Sequence, residues 1–205
     1  GSTVLFTGDS ITDAGRRDAQ FPLGSGYVHM AVDLITARYP DHKLKFINTG
    51  ISGNTVRDLS NRWTDDVIRH QPDWVSIMIG INDVWRQFDM PRQTEVHVLP
   101  DRYEAIYDEL LTESKKMIAN IVLMTPFFIE SQRGDAMRRQ MDVYGAIVKK
   151  LATRHGLNVV DTQAAFDAVL ALTHSAELGW DRVHPSIVGH TILSRAFLQA
   201  IEFDR

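Results

Sequence analysis

Cysteine is absent from this chain of 205 residues. Its absence excludes disulfide bonds, thiolate metal sites and a cysteine nucleophile. No apolar run reaches the roughly 18 residues that a membrane-spanning helix needs. The sequence also does not open with a basic segment followed by an apolar one, as a secretory leader would. We therefore expect a cytoplasmic protein that does not use a membrane as a partner.

Charge of one sign is not concentrated anywhere in the chain. The 22 lysine and arginine residues against 26 aspartate and glutamate residues give a net charge of −4, and no basic block stands out. Such a balance offers no electrostatic footprint for nucleic acid, so we predict no nucleic-acid partner. The length suits one domain with a sizeable core, which we expect to span residues 1–205.

Two patterns alternate along the chain. Short apolar runs rich in β-branched residues are typical of strands covered on both faces. These runs are residues 3–7, 44–48, 74–79, 121–124 and 157–160. Segments with helical periodicity lie between them, most clearly 27–39, 101–118, 138–155 and 186–201. The alternation predicts an α/β fold with a parallel sheet and right-handed crossovers, and the aperiodic residues 86–100 are a candidate flap.

The first apolar run ends in Gly8-Asp9-Ser10. In open α/β sheets ligands bind at the carboxyl edge of the strands, so Ser10 is a candidate nucleophile. The same residue types are common in ordinary turns, and the interpretation therefore needs support from the rest of the chain. Asp9 is more simply explained as a cap of the turn that follows, and Asp13 and Asp83 as turn or cap residues.

A base and an acid lie near the end of the chain, just before the last predicted helix. Acyl transfer by a serine needs a base to take its proton and a group that holds the base in one tautomer. His184 is a suitable base because histidine titrates near neutral pH. Asp181 precedes it by three residues, so one turn can bring the carboxylate to the imidazole.

Donors for an oxyanion follow the second and third predicted strands. Gly53 offers a backbone N–H with no side chain in the way, and Asn82 offers a side-chain N–H. The N–H of Ser10 is the third candidate donor, and Gly50 is an alternative to Gly53. No histidine or carboxylate spacing matches a metal motif, so we expect neither a metal nor another cofactor.

These segments, in this order, resemble the SGNH (GDSL-type) hydrolases. The blocks of that superfamily are Gly-Asp-Ser near the N-terminus, a glycine after strand two, Gly-x-Asn-Asp after strand three and Asp-x-x-His-Pro near the C-terminus, and all four occur here. The resemblance implies a three-layer α/β/α, flavodoxin-like fold with a five-stranded parallel sheet. It also implies a catalytic triad of Ser10, His184 and Asp181, with Ser10, Gly53 and Asn82 as the oxyanion hole.

Residues 51–59, 74–87 and 180–185 are similar to the intracellular bacterial acetylxylan esterases of this superfamily. The similarity implies removal of acetyl groups from small acetylated xylo-oligosaccharides by a homo-oligomer. In this family the oxyanion glycine follows an Ile-Ser pair, so the similarity favours Gly53 as the oxyanion donor. Trp85 and Trp180 flank the catalytic blocks and are candidates for contact with the sugar, because sugar rings lie against aromatic faces.

Two alternatives use the same residues. A lysophospholipase, a thioesterase or an arylesterase would have the same triad and a different acyl group. A flavin-binding protein would place the phosphate of FMN in the first loop, against Thr7, Ser10 and Thr12. The flavin hypothesis leaves Asp181 and His184 without a purpose.

Overall fold

The computed structural model describes residues 1–203, so residues 204 and 205 at the end of the predicted domain lie outside the described part. Five parallel strands form one sheet in the order β2-β1-β3-β4-β5. The strands are β1 (Thr3–Gly8), β2 (Lys45–Asn48), β3 (Trp74–Met78), β4 (Asn120–Met124) and β5 (Asn158–Val160). Each predicted strand is confirmed to within one residue at either end.

Helices connect the strands and cover the sheet. They are α1 (Ser10–Asp13), α2 (Tyr27–Arg38), α3 (Val56–Asn61), α4 (Trp63–Asp66), α5 (Ile81–Asp89), α6 (Pro100–Ser114), α7 (Ala136–His155), α8 (Thr162–Leu170), α9 (Ser175–Leu178) and α10 (Ile187–Ala200). Helices α2, α8 and α10 pack together, and so do α3, α6 and α7. Leu5 and Phe6 are neighbours on β1 that point to opposite faces, and both are fully buried. Both faces of the sheet are therefore covered, as the predicted three-layer α/β/α fold requires.

The strand order places the site. The chain leaves β1 for β2 on one side and then crosses to β3 on the other side of β1. Loops after β1 and β3 consequently turn in opposite directions and open a crevice at the carboxyl ends of these strands. Gly8-Asp9-Ser10 follows β1 and the segment from Gly80 to Asp83 follows β3, so both reach this crevice.

Helix α5 is not among the predicted helices, because the pattern shows only a segment with candidate site residues at 80–83 and no clear period over residues 86–100. Its apolar residues nevertheless recur at helical spacing, at Ile81, Val84, Trp85 and Phe88. Only about two turns carry the pattern, which is too short to stand out from the strand before it. The helix begins directly after Gly80, whose φ of 134° suits a glycine.

The candidate flap is fastened to the body of the protein. Arg57 donates hydrogen bonds to the backbone oxygens of Glu95 (3.0 Å) and His97 (3.0 Å). Val98 is fully buried, and its backbone oxygen accepts a hydrogen bond from the hydroxyl of Tyr144. The backbone oxygens of Glu95, His97 and Val98 are therefore paired with side chains outside the segment, which fastens this part of the candidate flap.

Candidate active site

Ser10 lies where β1 gives way to α1, and its side chain is partly buried. Asp9 is the N-cap of α1, and its Oδ1 accepts a hydrogen bond from the N–H of Ile11 at 3.0 Å. The predicted capping role of Asp9 is thus confirmed. Burial raises the pKa of Asp9 to about 7, against the opposing effect of the Ile11 hydrogen bond.

The structure brings Ser10, His184 and Asp181 together in one line of hydrogen bonds. Ser10 Oγ lies 3.1 Å from His184 Nε2, and His184 Nδ1 lies 2.6 Å from Asp181 Oδ2. With the Nδ1 proton on the side of the carboxylate, Nε2 is left to accept the hydroxyl proton of the serine. The arrangement can therefore take a proton from Ser10 and hold the resulting imidazolium.

Asp181 is held by a local turn. Its Oδ1 accepts hydrogen bonds from the N–H groups of Val183 (3.0 Å) and His184 (2.7 Å). Burial raises its pKa, but the hydrogen bonds from the side chain and backbone of His184 outweigh that effect and hold the pKa below its usual range. The carboxylate is consequently ionised at neutral pH.

Arg182, inside this turn, was missed by the sequence reasoning. Its φ is 64°, in the left-handed region that a non-glycine residue rarely adopts. Its side chain pairs with Glu130 at 2.6 Å, and its backbone oxygen accepts a hydrogen bond from the N–H of Ile129 at 2.9 Å. These contacts with the segment after β4 hold the strained residue in place.

Gly53 lies in the loop after β2, and Asn82, in the first turn of α5, is hydrogen-bonded to that loop. Gly53 has a φ of 83°, is exposed, and would place a Cβ where no heavy atom lies within 4 Å. Within residues 1–203 its N–H meets no hydrogen-bond acceptor. Asn82 Nδ2 donates a hydrogen bond of 2.9 Å to the backbone oxygen of Asn54, the residue that follows Gly53. Ser10 lies in the first turn of α1, where the N–H has no acceptor within the helix.

Gly50, the alternative donor, packs closely against α1, and its backbone groups are already hydrogen-bonded. Its N–H donates to Asn48 Oδ1 at 2.9 Å, and its backbone oxygen accepts a hydrogen bond from Arg16. A Cβ at this position would lie 2.4 Å from the backbone nitrogen of Asp13. Because its N–H is already engaged and its surface faces α1, Gly50 is not free to bind an oxyanion.

Two buried aspartates, Asp13 and Asp83, which the sequence predicts to be turn or cap residues, join the segments of the site. Asp13 Oδ2 accepts hydrogen bonds from the backbone N–H (3.1 Å) and hydroxyl (3.0 Å) of Ser52. Both oxygens of Asp83 lie within hydrogen-bonding distance of the N–H of Val56, at 3.0 and 3.2 Å. Val56 is the first residue of α3, so Asp83 binds an N–H at the start of that helix, as a cap residue does, while Asp13 binds the loop after β2. The sequence pattern places neither partner.

Arg62, also missed, binds the carboxyl ends of two strands. It donates to the backbone oxygens of Gly8 (2.9 Å) and Thr49 (2.7 Å), to Asn54 Oδ1 (2.7 Å) and to Asp66 (2.8 Å). Its side chain is only 14% exposed. No sequence motif marks this residue, since its partners are carbonyl groups that only the fold assembles.

The two tryptophans lie in different environments. Trp85 is partly buried and stands edge-on to the imidazole of His184, with 5.8 Å between the ring centroids. Trp180 is 84% exposed and directly precedes Asp181. Both are therefore beside the Ser10–His184–Asp181 line, one packed against it and one open to solvent.

The first loop does not form a phosphate cradle. Thr7 and Thr12 are fully buried, and Thr12 Oγ1 lies 3.1 Å from the hydroxyl of Tyr27. Their hydroxyls cannot reach a bound FMN, so the flavin hypothesis loses its only support. His190 is a structural histidine: its Nδ1 accepts the N–H of Tyr27 at 3.1 Å, and burial lowers its pKa to about 4.

The described part of the chain offers neither a metal-binding cluster nor a helix that could span a membrane. Residues 1–203 hold no cluster of three or more histidine or carboxylate side chains placed to bind a metal ion. Among the same residues, no helix combines the length and the apolar character that crossing a bilayer requires.

Comparison with known proteins gives consistent matches. Residues 6–192 match the GDSL-like lipase/acylhydrolase family. The chain is similar to an acetylxylan esterase of Geobacillus stearothermophilus, with 54% identity over 209 residues that cover 100% of this chain and 95% of that protein. A crystal structure of that enzyme, Axe2, gives a TM-score of 0.95 over 98% of this chain and 94% of the other. LAE5, an alpha/beta hydrolase from the metagenome of Lake Arreo in Spain, gives 0.95 at 48% identity over the same shares.

Several matching structures are variants of the Geobacillus enzyme. Three are described as catalytic mutants, in which a serine, a histidine or an aspartate is replaced by alanine. The replaced aspartate and histidine are three positions apart in that protein. A fourth variant replaces the tryptophan directly before that aspartate by isoleucine.

Proposed function

The chain belongs to the GDSL-like lipase/acylhydrolase family, and from this premise we propose that it is a serine esterase that removes acetyl groups from acetylated xylo-oligosaccharides. The observation that carries the proposal is the unbroken line of hydrogen bonds from Ser10 through His184 to Asp181. The residue types and the spacing of the last two match those replaced in the catalytic mutants of the 54% identical Geobacillus esterase.

In the proposed first half-reaction, Ser10 Oγ attacks the carbonyl carbon of the acetyl group while its proton moves to His184 Nε2. Asp181 keeps the imidazole in the required tautomer and stabilises its charged form. The tetrahedral intermediate then collapses, the bond from carbon to the sugar oxygen breaks, and His184 returns its proton to that oxygen. The products are a free sugar hydroxyl and an acetyl group on Ser10.

In the second half-reaction, water takes the place of the sugar. His184 Nε2 removes a proton from the water, which attacks the acetyl carbon, and the proton then returns to Ser10 as acetate leaves. In both steps the carbonyl oxygen becomes negatively charged. The N–H groups of Ser10, Gly53 and Asn82 bind it, and removing one such donor typically costs about 3–4 kcal/mol of transition-state stabilisation.

The sugar lies against tryptophan in this proposal. Trp85 forms the wall next to the imidazole, and Trp180 offers an exposed ring at the mouth of the site. Both rings present apolar surface to the faces of a pyranose. The Geobacillus enzyme also has a tryptophan directly before the aspartate that is replaced in its catalytic mutant.

The central experiment compares wild type with Ser10→Ala on 4-nitrophenyl acetate, acetylated xylobiose and a panel of fully acetylated mono- and disaccharides. We expect Ser10→Ala to lose at least about 10³-fold in kcat/KM, since within residues 1–203 no other hydroxyl is hydrogen-bonded to His184. Ser131→Ala, which changes an exposed serine, is the matched control and should keep wild-type rates. Wild-type rates in Ser10→Ala would contradict the proposal.

An acyl-chain series from acetyl to octanoyl separates the acetyl esterase from the lipase-like alternatives that share the triad. We expect the rate to fall as the chain lengthens. A rate that holds or rises with length would favour a lysophospholipase, thioesterase or arylesterase.

The cytoplasmic location and the assembly into a homo-oligomer stay predictions that rest on the resemblance to intracellular esterases. Light scattering of the purified protein after size-exclusion chromatography measures the second. A mass of 23.2 kDa, that of one chain, would contradict it.

A further inference from the structure

Arg86 lies one turn after Asn82 on α5, and its guanidinium is held from three sides. Nη2 donates to Asn82 Oδ1 at 3.3 Å, and Nη1 pairs with Asp89. The guanidinium carbon also lies 5.0 Å from the centre of the Trp85 ring, as in a cation–π contact. Asn82 lies four positions before Arg86, and Asp89 lies three positions after it. Side chains at these spacings share one face of a helix, so α5 itself brings the three together.

The contacts of Asn82 allow only one orientation of its amide. Nδ2 donates to the backbone oxygen of Asn54, and Oδ1 accepts from Arg86. In a flipped amide, Asn82 Oδ1 would face the backbone oxygen of Asn54, and two acceptors would oppose each other. Nδ2 would then face the guanidinium of Arg86, and donors would oppose donors. The amide nitrogen carries a second hydrogen, and this hydrogen is the one that the proposed function directs at the oxyanion.

The charge of Arg86 acts on the same amide. A cation that binds Oδ1 draws electron density from the amide and makes its N–H groups stronger donors. Hydrogen bonds that involve an ionised group are roughly twice as strong as neutral ones, and linked hydrogen bonds strengthen one another. Asp89 and Trp85 keep the guanidinium in place for this role.

We propose that Arg86 is a positioning residue for the esterase reaction: it holds the Asn82 amide in its donating orientation and strengthens the N–H that binds the oxyanion. The inference rests on the proposed function. Since the oxyanion exists in the transition state and not in the bound ester, the loss of Arg86 lowers kcat more than it raises KM.

The test is a series of variants assayed with 4-nitrophenyl acetate. Arg86→Met removes the donor and the charge, Arg86→Gln keeps a donor without charge, and Arg86→Lys keeps both. We expect kcat to fall about 10-fold to 100-fold for Met, less than the roughly 10²–10³-fold for removal of an oxyanion donor, with Gln intermediate and Lys nearest to wild type. Arg92→Met, which changes an exposed arginine of the neighbouring loop, is the control.

A double-mutant cycle separates this role from a general structural one. In an Asn82→Ala background the target of Arg86 is gone, so Arg86→Met should cost little more than about 2-fold in kcat, within the error of additivity. An equal loss of kcat in both backgrounds would overturn the inference, as would a wild-type kcat for Arg86→Met. If Arg86→Met does not fold, the Gln and Lys variants carry the same comparison.

Side-chain amide signals provide a readout that does not need activity. The ¹H–¹⁵N cross-peaks of Asn82 Nδ2, assigned by their loss in Asn82→Ala, should shift in Arg86→Met and Arg86→Gln and less in Arg86→Lys. Unchanged cross-peaks would overturn the inference even if the enzyme were inactive on acetyl esters. A wild-type enzyme that hydrolyses no acetyl ester would contradict the proposed function instead, so the two failures are distinguishable.

Discussion

The two halves of the site are built in different ways. In the acid–base half, residues 180–185, the hydrogen bonds of Asp181 within the described residues go to Val183 and His184, two and three positions after it, and the distant contacts are those of Arg182. The nucleophile half consists of the turn after β1, which holds Ser10, and the groups that bind this turn. Here the bonded groups are far apart in sequence. Asp13 and Ser52 are 39 positions apart, and Arg62 and Gly8 are 54 positions apart.

This difference predicts different consequences of mutation. The hydrogen bonds of Asp181 are local, so a change at this residue should affect the chemistry and leave the stability of the fold nearly unchanged. The groups that hold the nucleophile half also pair backbone carbonyls at the ends of β1 and β2. Their removal leaves buried acceptors unpaired, which costs stability as well as activity.

The largest effect should come from Asp181→Asn, in the acid–base half. The amide still accepts the backbone N–H bonds but neither fixes the imidazole tautomer nor balances its charge, so we expect kcat to fall about 10³–10⁴-fold. The thermal midpoint should stay within a few degrees of wild type. Steady-state kinetics and thermal unfolding check this, with Asp41→Asn at an exposed site as control. A kcat within 10-fold of wild type would argue against the role of Asp181.

Next in size is Arg62→Met, in the nucleophile half. It leaves the carbonyl of Thr49 and the side chain of Asn54 without their donor, and it removes one of the two hydrogen bonds to the carbonyl of Gly8, which keeps the one from the N–H of Ile51. We expect the free energy of unfolding to fall by roughly 3 kcal/mol, since each unpaired buried group costs about 1–3 kcal/mol, and kcat to fall as well.

Urea unfolding of Arg62→Met is compared with that of Arg69→Met. Arg69 is also paired with an aspartate four positions away, but it is 71% exposed, so its loss should cost at most about 1 kcal/mol. Equal costs for the two variants would contradict the role of Arg62 in holding the nucleophile half.

A smaller effect is expected in the pH dependence of stability. Burial raises the pKa of Asp83 from an ordinary 3.8 to about 8, although the Val56 N–H opposes the shift. Between these values the folded state keeps a proton that the unfolded state has lost, so stability falls as pH rises, by at most about 1.4 kcal/mol per pH unit. Asp83→Asn keeps an acceptor for Val56 and removes this titration.

Unfolding free energies of wild type and Asp83→Asn from pH 5 to pH 9 check the prediction. The profile of the variant should be flatter, with the remaining slope due in part to Asp9, whose pKa is also raised. Parallel profiles would show that Asp83 does not carry the buried proton.

The smallest effect is expected for Trp180→Ala, in the acid–base half. Its ring is 84% exposed, so truncation should leave thermal stability unchanged. We expect KM for acetylated xylobiose to rise by roughly 3-fold to 10-fold, about 1 kcal/mol of aromatic contact, with no change for 4-nitrophenyl acetate. Leu172→Ala, which changes a residue that is 91% exposed, is the control. If both substrates responded equally, Trp180 would not be a sugar contact.

The strands were predictable because a strand covered on both faces must be apolar throughout, and such runs stand out in the sequence. Helix α5 was missed although Ile81, Val84, Trp85 and Phe88 carry its period. Asp13 and Asp83 were expected to be turn or cap residues, because this is what a single sequence suggests for an isolated aspartate. Their partners, Ser52 and Val56, belong to segments that only the folded chain brings near.

Residue types and short-range spacing alone specified the acid–base pair, the parallel sheet and the candidate nucleophile. They suffice because a turn of three residues and an apolar strand obey local rules. Only the tertiary structure decided that Gly53 and not Gly50 has a free N–H, that Arg62 holds the strand ends, and that Ser10 meets His184 across 174 positions. These features depend on which carbonyl and N–H groups remain unpaired after the sheet forms, and no local pattern encodes that.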